Sequence, residues 1–229
     1  MIDDPYVLED GTLKNKLGIT DYSKLKNAEA DIGFVKLIDI DSIYEGELNS
    51  KLVRDLHKHI FEDIFDWAGE YRIVPIFKQE IVIPGISLDY EKPQKISESL
   101  DKKIADLDKT DWKKMTTKQI SLEFARKLAL MWKVHPFRDG NTRTTLAFAD
   151  LYAREHGFQF DIAYLLDNLT REINEDGRIR RYSIRDKFVL AALDDKDYPE
   201  PEHLAKLLEI AIEKGKEKEK EKRLVDESR

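Results

Sequence analysis

Nine residues, His135-Pro136-Phe137-Arg138-Asp139-Gly140-Asn141-Thr142-Arg143, hold the chain's densest chemistry. They combine a base, a carboxylate, a turn glycine and a cation, each with a task if the ligand is a metal-bound nucleotide phosphate. Asp139-Gly140-Asn141 is turn chemistry, and Gly140 can take a positive φ without steric cost. Asn141 suits the N-cap of a following helix over about residues 141–156. The first N–H groups of that helix have no acceptor within it and, with the helix dipole, favour an anion. Arg143, in its first turn, can fork onto phosphate oxygens. Spacing alone therefore describes a loop suited to phosphate.

Two helices must position this loop. In Thr117 to Val134, Ile120, Phe124, Leu128 and Met131 mark one helical face. Leu122, Ala125, Ala129 and Trp132 occupy much of another side, which predicts a central helix buried all round. Pro136 disfavours helical geometry at His135, so the helix should stop near Val134 and leave His135 at the mouth of the loop.

The stretch resembles the signature of the Fic family, HPFx[D/E]GNxR. Leu56-His57-Lys58-His59-Ile60-Phe61 and Asp66-Trp67-Ala68-Gly69-Glu70-Tyr71-Arg72 resemble that family's first core helix and the turn into its flap, and the likeness covers about residues 45–192. It implies an all-α, Fic-type helical bundle with a small β-hairpin flap near the active-site loop. It implies a toxin-like protein adenylyltransferase that moves AMP from ATP to a hydroxyl of a target protein. His135 would be the general base, a role suited to an imidazole. Asp139 would hold Mg2+, which takes few protein carboxylates and bridges phosphate oxygens. Gly140, Asn141 and Thr142 would cradle the nucleotide phosphates, Arg143 would neutralise the leaving pyrophosphate, and Phe137 would anchor the loop on the core.

After Gly69 the hydrophobic period changes. Residues 71–77 and 81–83 read as two short strands around Lys78, Gln79 and Glu80, and Pro75 confines them to an edge hairpin. The resemblance makes this the flap that docks the target by strand addition, with Lys78, Gln79 and Glu80 at its tip. Two departures from the family pattern leave the donor open: Thr142 stands where glycine is common, and Leu146 where many members carry a second arginine. The alternatives are transfer of another nucleotide or phosphate-containing group by the same loop, and a catalytically weak nucleotide- or partner-binding module.

The 229 residues carry a net charge of −7 with 41% hydrophobic and 37% charged content. An acidic chain lacks the basic surface of a general nucleic-acid binder. With no cysteine, neither a disulfide framework nor a thiolate zinc site can form, which suits the cytosol. No apolar run approaches membrane-spanning length, and Met1-Ile2-Asp3-Asp4 is acidic where a signal peptide would be basic. Cytoplasmic residence is expected, with translocation into a host cell left open, as is the oligomeric state.

Three parts are expected along the chain. Residues 1–44 form an arm, with an amphipathic helix over about 22–37 whose apolar face is Leu25, Ala28, Ile32 and Val35. Residues 45–200 form the core domain, including a buried helix capped by Ser50. Its His57 and His59 face different directions, so each is a hydrogen-bonded structural histidine rather than half of a metal site. Residues 201–229 form a last helix ending in a Lys/Glu-rich tail that is solvated or disordered. Arg178, Arg180 and Arg181 read as a solvated charge run. Many relatives carry an inhibitory [S/T]xxxE[G/N] helix. Neither Glu91 nor Glu45 fits that pattern, and Leu146 removes its arginine partner. Control then falls to a separate small inhibitory protein, to the arm, or to target access.

Overall fold

The computed structural model describes residues 4–227; the first three residues of the acidic opening and the last two of the tail lie outside them. The described elements are α1 (Tyr22–Ile38), α2 (Ser50–Phe61), α3 (Ile96–Asp108), α4 (Thr117–Val134), α5 (Asn141–Glu155), α6 (Ile162–Leu166), β1 (Glu172–Ile173), β2 (Ile179–Arg181), α7 (Ile184–Ala191) and α8 (Glu202–Glu227), with short 3-10 turns between. Among the described residues the architecture is helical, with one small antiparallel hairpin. Two compact units alternate along the chain: residues 1–76, 90–101 and 134–148 form the first, and 77–89, 102–133 and 149–229 the second.

In the first unit α1 and α2 pack together. Asp21 caps α1 by accepting from the Lys24 N–H. The buried face of α1 is Leu25, Glu29, Gly33 and Leu37, four residues apart, and Val35 is exposed. This corrects the expected face: a helix whose apolar residues are spread around its circumference does not reveal from pattern alone which side is buried. Asn49, not Ser50, caps α2, accepting from the Leu52 N–H at 3.0 Å. Leu52, Val53, Leu56, Ile60 and Phe61 of α2 are buried, as their spacing predicts. The arm residues Val7 and Leu13 form an isolated bridge, and the Lys16 N–H reaches the Ile64 carbonyl at 2.8 Å, so the arm packs on this unit.

In the second unit an aromatic cluster surrounds Phe124 of α4, with Trp112, Tyr152, Phe158 and Phe160 all in ring contact with it. The buried Trp112 N–H is satisfied by the Tyr152 hydroxyl at 3.1 Å. The hairpin lies here, with Glu172 opposite Arg181 and Ile173 opposite Ile179. Its turn is Asn174 to Gly177, with Gly177 at φ +81°. The arginine run therefore forms strand and turn, and Arg181 pairs with Glu172 at 2.8 Å.

The hairpin expected at residues 71–83 is not formed there: that segment carries no strand or helix. Pro75 and Pro84 supply no N–H to a ladder. The segment leaves Phe77 and Ile81 exposed (75% and 63%).

Candidate active site

The motif loop, with His135, Asp139, Gly140, Asn141, Thr142 and Arg143, belongs wholly to the first unit. α4 ends at Val134, and His135 takes φ +50° ahead of Pro136. A non-glycine residue in this region is uncommon and needs surrounding structure to hold it. Arg72 supplies the hold. Its N–H donates to the Pro136 carbonyl (2.9 Å) and its Nε to the His135 carbonyl (2.8 Å). The same guanidinium donates to the carbonyls of Val74 and Glu91. Arg72 is fully buried, and that burial pushes its pKa down to about 10. The His135 side chain is buried against the Tyr90 ring, with centroids 4.2 Å apart.

His57 supports the loop from below. Its Nδ1 accepts the Gly69 N–H at 2.8 Å, which fixes the neutral tautomer with the proton on Nε2; that nitrogen donates to the Asp139 carbonyl at 3.1 Å. The ring stacks on Phe137 at 3.7 Å. Burial, first, and the nearby Arg143 charge lower its pKa to about 3. His59 instead reaches the Lys36 carbonyl. Both histidines are structural, as their spacing predicts.

Gly140 sits at φ +79°, and a Cβ there would lie 2.4 Å from Cε2 of Phe61. Asn141 does not cap α5 with its side chain. Its Oδ1 accepts the Phe137 N–H (2.9 Å) and its Nδ2 donates to the Phe137 carbonyl (2.8 Å), lacing the loop into a closed ring. What α5 offers an anion is the backbone of its first turn, whose N–H groups have no acceptor within the helix. Thr142 is part-exposed in that turn, while Leu146 is fully buried in the core.

The charged residues form an alternating series. Asp139 Oδ1 accepts the Gly140 N–H at 2.7 Å, and Oδ2 accepts from Lys26 Nζ at 2.7 Å. Lys26 also donates to both oxygens of Glu29 at 3.1 Å. Glu29, buried at 1% exposure, accepts from Arg143 Nη2 at 2.8 Å, and its carbonyl accepts Nη1 at 2.7 Å. The Arg143 guanidinium lies over the Phe61 ring, 4.5 Å from its centroid. Burial alone would lower the Lys26 pKa, but Asp139 and then Glu29 outweigh it and hold it above the ordinary value. Glu45 is exposed and pairs with Lys51, and Glu91 bonds Ser99 and the Lys92 N–H. The carboxylate on the motif arginine is Glu29. Sequence reasoning missed both Glu29 and Arg72.

Of the expected flap-tip residues, Lys78 is half-buried, Gln79 exposed and Glu80 buried. Arg185 of α7 donates to both Glu80 oxygens, at 2.5 and 2.7 Å, so Glu80 is an internal anchor rather than a docking contact.

Residues 47–153 match the model of the Fic/DOC family. The chain is 26% identical over 160 residues to protein adenylyltransferase VbhT of Bartonella schoenbuchensis, a match covering 69% of this chain and 32% of that protein, so it spans about a third of that relative. It is 28% identical over 171 residues to probable protein adenylyltransferase y4lH of Sinorhizobium fredii, covering 72% of this chain and 84% of the other. Among solved structures it is similar to the N-terminal FIC domain of Bep8 from Bartonella sp. 1-1C, with TM-score 0.69 at 21% identity over 90% of this chain and 94% of that one. It is also similar to BepC of Bartonella tribocorum with bound AMPPNP, with TM-score 0.66 at 18% identity over 90% and 95%. The loop of residues 135–143 lies inside the span that matches the Fic/DOC family model.

Proposed function

We propose that the protein transfers AMP from ATP to a hydroxyl side chain of a target protein. The acceptor oxygen bonds to the α-phosphorus, the bond from that phosphorus to the oxygen bridging the β-phosphate breaks, and pyrophosphate leaves. His135 takes the hydroxyl proton as the oxygen attacks. Backbone N–H groups at the start of α5 receive charge developing on the phosphate oxygens. Arg143 faces the leaving group. Its fork has five N–H donors, so Glu29 can orient it while other donors meet phosphate.

The donor set fits Mg2+. Lys26 already stands as a cation against the Asp139 carboxylate at 2.7 Å. Asp139 would hold the ion through its one carboxylate, with substrate phosphates supplying further oxygens. When bound there, Mg2+ would neutralise phosphate charge and polarise the phosphoryl group. The exposed Phe77 and Ile81, with Lys78 and Gln79 between them, support docking of an extended target segment by strand addition.

One observation carries the reading: His135, Asp139 and Arg143 converge on one laced loop at a helix N-terminus, in a domain whose relatives are named protein adenylyltransferases. ATP labelled at the α- or the γ-phosphorus tests it. AMP transfer leaves the α label on protein and releases the γ label. Retention of the γ label alone would mean phosphorylation, and retention of neither label by any protein in a lysate would overturn the proposal.

A further inference from the structure

We propose that Lys26 is a tethered cation that competes with a divalent metal ion for Asp139 and so sets the metal affinity of the signature loop. This rests on the reading of Asp139 as the metal-holding carboxylate.

The two oxygens of Asp139 have different neighbours. Oδ1 accepts the Gly140 N–H at 2.7 Å, within its own loop. Oδ2 meets the Lys26 ammonium at 2.7 Å, from a helix 113 residues earlier in the chain. A magnesium ion sits about 2.0–2.1 Å from a carboxylate oxygen. An ion on Oδ2 and an ammonium in its present place would bring two positive charges within a few ångströms, in a setting where Coulomb repulsion is only partly screened.

Lys26 is held there by a built arrangement. It is three residues before Glu29 on α1 and donates to both Glu29 oxygens at 3.1 Å. Glu29 is buried and is itself fixed by Arg143 through its side chain and its carbonyl. Leu25 and Gly33 seat α1 on the core on either side, and Arg143 Nη1 lies 3.1 Å from the position a Cβ would take on Gly33. The ammonium is therefore presented to Asp139 by a fixed helix, unlike an ordinary surface pair whose side chains must first be ordered. Lys26 stands where the metal charge is needed, and Glu29 stands on the arginine expected to meet phosphate. Loading the loop with metal must move Lys26, whereas Glu29 can keep Arg143 through the contacts it already makes.

The experiment uses Mn2+ alone as the probe. Its binding to the full chain is followed by loss of the free-ion electron paramagnetic resonance signal. Wild type is compared with Lys26→Met, Lys26→Gln, Asp139→Asn and the Lys26→Met/Asp139→Asn double variant. Methionine keeps an unbranched chain of similar length without the charge, glutamine a shorter neutral polar one, and thermal melts check the fold. We expect each to lower the Mn2+ Kd about tenfold, or ~1.4 kcal/mol, and Asp139→Asn to abolish the gain. Wild-type or weaker Mn2+ affinity in both Lys26 variants would overturn the competition. So would a double variant that binds as tightly as Lys26→Met, because the ion would then sit elsewhere. The outcomes separate from the transfer reading. Tightened Mn2+ binding without α-label transfer refutes transfer alone, and unchanged Mn2+ binding with transfer intact refutes the competition alone.

Discussion

Replacing Gly140 by alanine should destabilise the protein by about 2–4 kcal/mol, more than a surface glycine would lose. The backbone at Gly140 has φ +79°, a left-handed conformation that costs an L-residue about 1–2 kcal/mol. The added Cβ would lie 2.4 Å from Cε2 and 2.5 Å from Cζ of Phe61, so the ring must move. Phe61 is fully buried, with His57 and Phe65 in ring contact and Arg143 over its face. Overpacking of this kind costs about 1–3 kcal/mol. Reduced freedom of the unfolded chain returns about 0.4–1 kcal/mol. Denaturant unfolding of Gly140→Ala, Phe61→Leu and the double variant measures this. Leucine at 61 removes the atoms that collide, so the double variant should be more stable than the two single losses predict by at least about 1 kcal/mol. An additive cycle, or a Gly140→Ala cost below about 1 kcal/mol, would refute the argument that the ring and the turn are fitted to one another.

Three further outcomes follow from the site. His57 has its folded pKa lowered to about 3, against 6.5 unfolded, so its contribution is complete above pH 6.5 and is lost as the pH falls toward 3. Relative to His57→Gln, wild type should lose about 1.4 kcal/mol per pH unit across that window, and parallel profiles would show that His57 is not buried neutral. Glu29→Ala should cost about 3 kcal/mol in denaturant unfolding, because it leaves Arg143 and Lys26 without their buried carboxylate; a loss under about 1 kcal/mol would mean the pair contributes little. Phe77→Ser with Ile81→Ser, both exposed, should raise the KM for the protein target while leaving the Kd for AMPPNP unchanged, and an equal loss of both would remove the docking role.

The parts legible in the sequence are those set by local rules. The periodicity of α2 and α4, the stop before Pro136 and the positive φ of Gly140 each follow from a few neighbouring residues, and each is found. Contacts made across long separations were not legible. Glu29 belongs to the buried face of α1 because Arg143, 114 residues later, awaits it there, and a charged residue carries no hydrophobic signal. The usable hint was the four-residue spacing of Leu25, Glu29, Gly33 and Leu37, together with a motif arginine that needed an acid. Arg72 gave no hint, since its partners are all backbone carbonyls. The β-branched run at 71–83 looked like a hairpin, but its prolines cannot serve a ladder. The hairpin formed instead around Asn174–Gly177, where a turn glycine joins two short strands that pair Ile173 with Ile179 and Glu172 with Arg181.

The most direct test of the account is the fate of an α-phosphorus label in the presence of wild-type protein and of His135→Ala, each incubated with labelled ATP and a cell lysate. Arg72 grips the His135 carbonyl rather than its ring, which lies buried beside Tyr90. The variant should therefore stay folded and bind AMPPNP with a Kd within about threefold of wild type, a difference of less than ~0.7 kcal/mol. Removal of a general base should lower the transfer rate by about 10²–10⁴-fold. Equal labelling of a protein band by wild type and the folded variant would contradict the assignment of His135 as the base, and with it the chemistry proposed for this loop.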